Sequence, residues 1–291
     1  MDPLIIEAAI NENVRKEENE NVPWTPEEIA RDAEECVKAG ASIIHFHARD
    51  PKTGEPRYTD APLYAEAMRL IRKRCDAVFY PTYSTQFPMP QRHAHVETLV
   101  TDKTVRLEMA TTDIGAVNMS PFDPKAKKFK RDGVYTNLHG DAIAFLEMCN
   151  RLGVKPTLGA REPGHLRHIL AYREMGLLKD PIVAKFMFYD DAPCGLPPTA
   201  SGLKGWTSSI PKDVKVIWSI QAYGPSHTML EGLAIAQGGH VRTGLGDNPR
   251  LDGKRMTNAQ QVTLFAKVAK KLGRKVATPA EARKLMGMKS S

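Results

Sequence analysis

The sequence predicts a (β/α)8 barrel, and three observations carry that prediction. Eight short runs rich in β-branched, aromatic and other apolar residues recur along the 291 residues. Polar segments with helical spacing lie between most of them. No GxGxxG follows the first run, so the competing architecture, a doubly wound open sheet, lacks its usual phosphate-binding turn. No low-complexity linker interrupts the pattern, and residues 1–291 are expected to form one domain.

The eight runs, in order, are LIIEAAI from Leu4, SIIHFHA from Ser42, AVFYPTY from Ala77 and TVRLEMA from Thr104. They continue with VKPTLGA from Val154, IVAKFMF from Ile182, VKVIWSI from Val214 and GHVRTGL from Gly239. The clearest helix follows the first run, in TPEEIARDAEECVKAG. Thr25 is a fit N-cap, Pro26 suits the first helical position and Glu28 completes a capping box. Ile29, Ala33, Cys36 and Val37 form the apolar stripe, and Gly40 ends the helix in a left-handed conformation. TPAEARKL from Thr278 repeats the start signal near the end of the chain.

Composition narrows the function classes. The formal net charge is +7, and one basic run, Lys125, Lys127, Lys128, Lys130 and Arg131, holds much of it. A solvated loop is the first reading of that run, and a landing patch for a phosphorylated ligand the second. No nucleic-acid-binding motif accompanies it. No apolar stretch reaches the ~18 residues of a membrane span, and MDPLIIEAAI is acidic where a signal peptide would be basic. Cys36, Cys75, Cys149 and Cys194 stand far apart with no CxxC pair, so a reducing cytoplasm is the expected setting.

The second run ends in a segment that carries chemistry, His45-Phe-His47-Ala-Arg49-Asp50. Side chains two apart on a strand share a face, so His45 and His47 face the same way at the C-terminal end of their strand. In barrel enzymes that end is the catalytic face. Two imidazoles there suit a divalent metal, while two satisfied polar histidines at a strand end are the alternative. RHAHVE places His93 and His95 at the same spacing, but the segment reads as helical and polar, and that pair is expected at the surface. His165 and His168 are expected to be structural.

At this point the chain resembles the β-keto acid cleavage enzymes. The resemblance rests on the first strand, the TPEE helix start, the HxHxRD segment, LEMATTDIGAVN at 107–118, GGHVRTGLGDN at 238–248, and the closing NAQQV and ATPAEAR segments. It implies a zinc-dependent (β/α)8 barrel, or one using another divalent metal. The implied reaction converts a β-keto acid and acetyl-CoA into acetoacetate and a new acyl-CoA. Family members are commonly tetramers, so a homo-oligomer is implied, with no nucleic-acid or membrane partner. By position, His45 and His47 match the zinc histidines, Arg242 the catalytic arginine, Asp247 the catalytic aspartate and Thr111 a substrate-contacting threonine. Ser84 is the better match to a serine or threonine after the third strand, with Thr82 the alternative.

One break stands out. The family pattern GxEDN carries a glutamate as third metal ligand, and here that residue is Gly246. Catalytic zinc usually has three protein ligands plus water. The eighth strand of a closed barrel lies beside the first, which carries Glu7 inside an apolar run. An uncompensated carboxylate there is costly to bury. Glu7 is therefore the expected relocated ligand, with Gly246 leaving room. A salt bridge from Glu7 to Arg49 or Arg242 is the alternative. Glu12 and Asp247 are weaker ligand candidates, because Glu12 lies in the charged loop NENVRKEENEN, expected to be solvated or lid-like. Arg49 could pair the substrate carboxylate, and Glu162 is expected as a polar supporting group near the substrate. Two other functions remain open: a metal-dependent barrel aldolase or hydrolase that does not use CoA, and a non-catalytic binding protein on a barrel frame.

Overall fold

Glu7 and Arg242 sit opposite each other in the ladder that closes the molecule, and the fold is best followed from that point. A computed structural model describes residues 1–288. Its first strands and helices are β1 (Ile6–Ala9), α1 (Pro26–Ala39), β2 (Ile43–Phe46), α2 (Ala61–Arg74), β3 (Val78–Pro81) and α3 (Ala94–Thr101). Next come β4 (Met109–Asn118), the small strands β5 (Phe122–Asp123), β6 (Lys128–Phe129) and β7 (Val134–Asn137), and α4 (His139–Leu152). The chain then alternates through β8 (Lys155–Ala160), α5 (Pro163–Glu174), β9 (Ile182–Tyr189), α6 (Ala200–Ser208), β10 (Val216–Tyr223) and α7 (His227–Ala236). It ends with β11 (His240–Thr243), α8 (Asn258–Lys271) and α9 (Pro279–Leu285).

Eight strands run parallel in the row β3-β2-β1-β11-β10-β9-β8-β4, which is the (β/α)8 barrel the sequence predicts. β7 adds antiparallel to the far end of β4. β3 and β4 pack side by side, but among the described residues no ladder joins them. The barrel therefore has a seam.

Alternation along each strand sorts the side chains. On β1 and its flanks, Leu4, Ile6, Ala8 and Ile10 face outward into the cluster that includes Ile29, Ala33 and Cys36 of α1 and Val262 and Phe265 of α8. Ile5 and Glu7 face inward. On β2, Ile44 and Phe46 join the outer cluster, while Ile43, His45 and His47 turn in. The N-terminal end of the barrel is filled by Ile5, Ile43, Val78, Met109, Val183 and Ile217, with Ala282 and Met286 of the C-terminal segment packed against them. The interior is dry and apolar at that end and polar at the other.

The helix signals read from the sequence are realised. Thr25 and Glu28 form the capping box, Gly40 ends α1 at φ 118°, and Thr278 and Glu281 form a second box. Two expectations need correction. The fourth strand begins at Met109 rather than Thr104, because the chain is still turning at Arg106, where φ is +53°. It then runs on to Asn118. The segment holding β5 to β7 was not anticipated; its basic residues, Lys125 to Arg131, lie exposed around the β5–β6 hairpin. Among the described residues no helix is long and apolar enough to cross a membrane.

Candidate active site at the barrel mouth

The C-terminal strand ends enclose a cavity of about 270 Å³. His45 and His47 enter it from β2, buried to 3% and 4% exposure. Their rings are fixed by their Nδ1 atoms. His45 Nδ1 lies 3.2 Å from the Tyr80 carbonyl, and His47 Nδ1 lies 3.3 Å from the Asn13 side-chain oxygen. Each contact places the proton on Nδ1 and leaves Nε2 as an acceptor or ligand. Both Nε2 atoms face one carboxylate, that of Glu12, at 3.2 and 3.6 Å. Burial pulls the His47 pKa down to about 3, against the opposing pull of Glu12, so the ring is neutral near pH 7.

Glu12, His45 and His47 are a set that could hold a metal, their donor atoms all lying within 4.8 Å of one another. Two donors each ~2.0 Å from a tetrahedral centre stand roughly 3.3 Å apart, close to the His45–Glu12 separation. The donor chemistry, two neutral imidazoles and a carboxylate, is that of catalytic zinc sites. Burial alone would raise the Glu12 pKa, but His47, Arg242 and His45 overcome it and hold the carboxyl well below its ordinary range.

Glu12 is therefore neither solvated nor lid-like, and Glu7 does not join the histidines. Glu7 is buried one layer deeper, accepting from Arg242 Nη1 at 2.7 Å and from the Tyr80 hydroxyl. Its charge is compensated by an arginine across the β1–β11 ladder, which is why it can interrupt an apolar strand. The opening left by Gly246 is filled, but by another carboxylate than the sequence suggested. A Cβ at position 246 would stand 2.5 Å from Glu12 Cγ and 2.9 Å from the Ala9 carbonyl oxygen. Glu12 itself adopts φ +39°, uncommon for a residue with a side chain.

Arg242 is the hub of the site. Besides Glu7 it binds Glu12, and it grips Asp247 through Nε and Nη2, both at 2.8 Å. The Asp247 side chain is fully buried, and burial raises its pKa against the pull of Arg242. Gln221 Nε2 stands 3.4 Å from the same carboxylate.

Across the cavity, Thr82, Ser84 and Thr111 all line the wall. Thr111 Oγ1 donates to the Thr157 carbonyl at 3.3 Å. Arg49 does not reach the cavity as a free cation. Its guanidinium donates to the carbonyls of Gly54, Glu12 and Val14, so it clamps the backbone that presents Glu12. Glu162 is also displaced from its expected place: it accepts from the Gly195 N–H at 2.8 Å and braces the loop after β9. Its neighbour Arg161 is the residue that lines the cavity, paired with Asp113 at 2.8 Å.

Sequence reasoning missed Asp113, Arg161 and Lys185. A signal was available for the last. Lys185 interrupts the apolar run IVAKFMF as Glu7 interrupts LIIEAAI.

The pair at His93 and His95 is buried, not at the surface. Their exposures are 1% and 2%, and their Nε2 atoms bond to the carbonyls of Thr111 and Thr82. His165 packs on His168, its Nδ1 accepting from the Arg161 N–H.

A parallel barrel with ionisable groups converging at its C-terminal rim is the frame of a (β/α)8 enzyme. Comparison with known proteins gives the particular kind. The chain belongs to the β-keto acid cleavage enzyme family, whose model matches residues 3–288. It is 33% identical over 295 residues to the 3-keto-5-aminohexanoate cleavage enzyme of Fusobacterium nucleatum, covering 99% of both chains. It is 30% identical to the enzyme of the same name from Acetoanaerobium sticklandii, again covering 99% of both. It is 29% identical to the 3-dehydrocarnitine:acetyl-CoA trimethylamine transferase of Rhizobium meliloti, covering 91% of this chain and 89% of that one. Among solved structures, apo ObcA superposes with a TM-score of 0.71 at 18% identity, over 92% of this chain and 65% of ObcA. That likeness is one of fold.

Proposed function

We propose that this chain is a zinc-dependent enzyme that converts a β-keto acid and acetyl-CoA into acetoacetate and a new acyl-CoA. The observation that carries the reading is the convergence of His45, His47 and Glu12 beside Arg242 at the barrel mouth, with Asp247 buried behind Arg242. Two relatives, the 3-dehydrocarnitine:acetyl-CoA trimethylamine transferase of Rhizobium meliloti and the 3,5-dioxohexanoate:acetyl-CoA acetone transferase of Paraburkholderia graminis, are named for reactions with acetyl-CoA, which supports the same reaction class.

His45, His47 and Glu12 would hold the ion. When bound, a divalent metal acts as a Lewis acid on the ketone and carboxylate oxygens of a β-keto acid. Asp247 accepts the proton from the carbon between the two carbonyls. Burial raises its pKa above the ordinary aspartate value, which favours acceptance of a proton. Arg242 orients that carboxylate through two hydrogen bonds. Ser84, Thr82 and Thr111 offer hydroxyls along the wall formed after β3 and on β4, where the rest of the substrate would lie.

The test is a panel of β-keto acids with acetyl-CoA, reading acetoacetate release alongside metal content. Acetoacetate formed only when acetyl-CoA and metal are both present is the expected result. Turnover of a β-keto acid that is indifferent to acetyl-CoA would assign the site to CoA-independent chemistry instead. A purified protein with no bound divalent metal and no turnover would make the barrel a binding frame.

A further inference from the structure

Lys185 is a cation inside the barrel with no ion-pair partner in direct contact among the described residues. It lies on β9, 3% exposed, and it lines the same cavity as His45, His47 and Arg242. Its ammonium contacts two hydroxyls, Tyr80 Oη at 2.9 Å and Thr111 Oγ1 at 3.3 Å. An ammonium has three N–H donors. The third has no acceptor among the described residues.

The other cations at the mouth are spent. Arg242 serves Glu7, Glu12 and Asp247. Arg161 is neutralised by Asp113, and Arg49 is committed to three carbonyls. Glu7, which accepts from the same Tyr80 hydroxyl, offsets part of the cost of burying this ammonium without touching it, and an anion delivered by a ligand to the remaining N–H would offset more. Tyr80 links the ammonium to the histidine pair: its ring stacks on His45 at 4.5 Å between centroids, and Lys185 Nζ stands 4.8 Å from the same ring centre.

We propose that Lys185 receives the carboxylate of the β-keto acid and so selects acids over neutral β-keto compounds. This rests on the reaction class proposed above. One carboxylate oxygen meets the ammonium, with Thr111 and Tyr80 fixing the direction of the remaining N–H. Position 185 is thus a substrate-binding residue, distinct in role from the metal-holding trio.

The experiment is calorimetric binding of acetoacetate and of acetoacetamide, its neutral analogue, to the metal-loaded protein without acetyl-CoA. Wild type is expected to prefer the acid by at least ~10-fold. In Lys185→Met the acid loses about 10–100-fold in affinity, the scale of a charge-assisted hydrogen bond, while the amide changes little. Metal content is unchanged. Lys185→Arg should restore part of the preference. If Lys185→Met fails to fold, Lys185→Gln, which keeps a donor to the two hydroxyls, reads the same ratio. A variant that keeps both its metal and the wild-type preference would overturn the proposal and leave the reaction class standing. Equal loss of both ligands would also overturn it, by making Lys185 a support for the cavity. A wild-type protein that binds no β-keto acid would remove both readings together.

Discussion

The chain contains two His-x-His segments, and they differ in what their ring nitrogens are doing. On β2, alternation sends His45 and His47 into the barrel together. At the start of α3 the same spacing turns the two side chains roughly 200° apart about the helix axis. In the first pair Nδ1 is held by an oxygen and Nε2 faces a carboxylate across the cavity. In the second pair Nε2 is spent on main-chain carbonyls, and His95 Nδ1 is buried with no partner. Spacing supplies two rings. The hydrogen bond at one nitrogen decides which nitrogen keeps the lone pair, and only in the β2 pair does that nitrogen face the cavity.

The sharpest way to break this contrast is His45→Ala against His93→Ala. The first is expected to abolish both metal content and turnover. The second should keep the metal and lower stability by about 1–3 kcal/mol, the cost of orphaning the Thr111 carbonyl. Full metal occupancy in His45→Ala, read by elemental analysis, would end the assignment of the β2 pair.

Within the first region, Asp247→Asn separates chemistry from metal holding. Turnover should fall ~10²-fold or more while metal content stays. A near-normal rate would return Asp247 to a structural role behind Arg242.

The next test concerns the two carboxylates on the β1 segment. Glu12→Gln should weaken metal affinity by more than the ~10–100-fold that loss of a supporting outer partner costs. Glu7→Gln should cost stability and leave metal affinity closer to wild type. Gly246→Glu alone collides with the Glu12 side chain, whereas Glu12→Gly with Gly246→Glu removes that collision, leaves only the 2.9 Å approach to the Ala9 carbonyl oxygen to be relaxed, and returns a carboxylate to the vacated place. Competition with a chelator measures all four. A double variant no better than Glu12→Gln would show that the two positions are not interchangeable.

The smallest effect sharpens the second region. Burial lowers the pKa of His93 to about 3 and of His95 to about 4. The unfolded chain then binds protons near pH 6.5 that the folded chain refuses. Stability is full above pH 6.5 and is lost as pH falls from there toward 4 for His95 and toward 3 for His93. Each ring is expected to account for about 2–3 kcal/mol of that loss. His95→Gln should flatten the acid limb of denaturant-midpoint curves. An unchanged slope would mean that other groups carry it.

The eight strands, the capped helices and the inward-facing β2 histidines were legible because period, cap chemistry and strand-end position are local signals. Glu12 was not, because a carboxylate in a charged loop looks solvated until the loop is closed. Closing it takes a positive φ that a glutamate seldom adopts and the clamp on its carbonyl by Arg49, which is distant in sequence. Gly246 pointed to a missing side chain, and adjacency of the first and last strands pointed to the β1 segment. Which of its two glutamates filled the space depended on Arg242 reaching Glu7 across the ladder. His93 and His95 were misplaced because a polar helix start conceals two rings aimed at carbonyls of the seam.

That seam divides the cavity wall by stiffness. The His45 and His47 rings, which could hold a metal, stand on β2, laddered on both sides by β1 and β3. The wall formed by Thr82, Ser84 and Thr111 straddles β3 and β4, joined by side chains: His93 on the Thr111 carbonyl and Tyr83 Oη on the Asp113 N–H at 2.9 Å. Parting two such bonds dilates the cylinder along one line without moving a backbone ladder. The cavity wall therefore combines a half held by backbone ladders with a half whose strands, among the described residues, are joined by side chains alone. In a lineage, substitutions along the second half can retune what is accepted while the laddered half keeps its geometry.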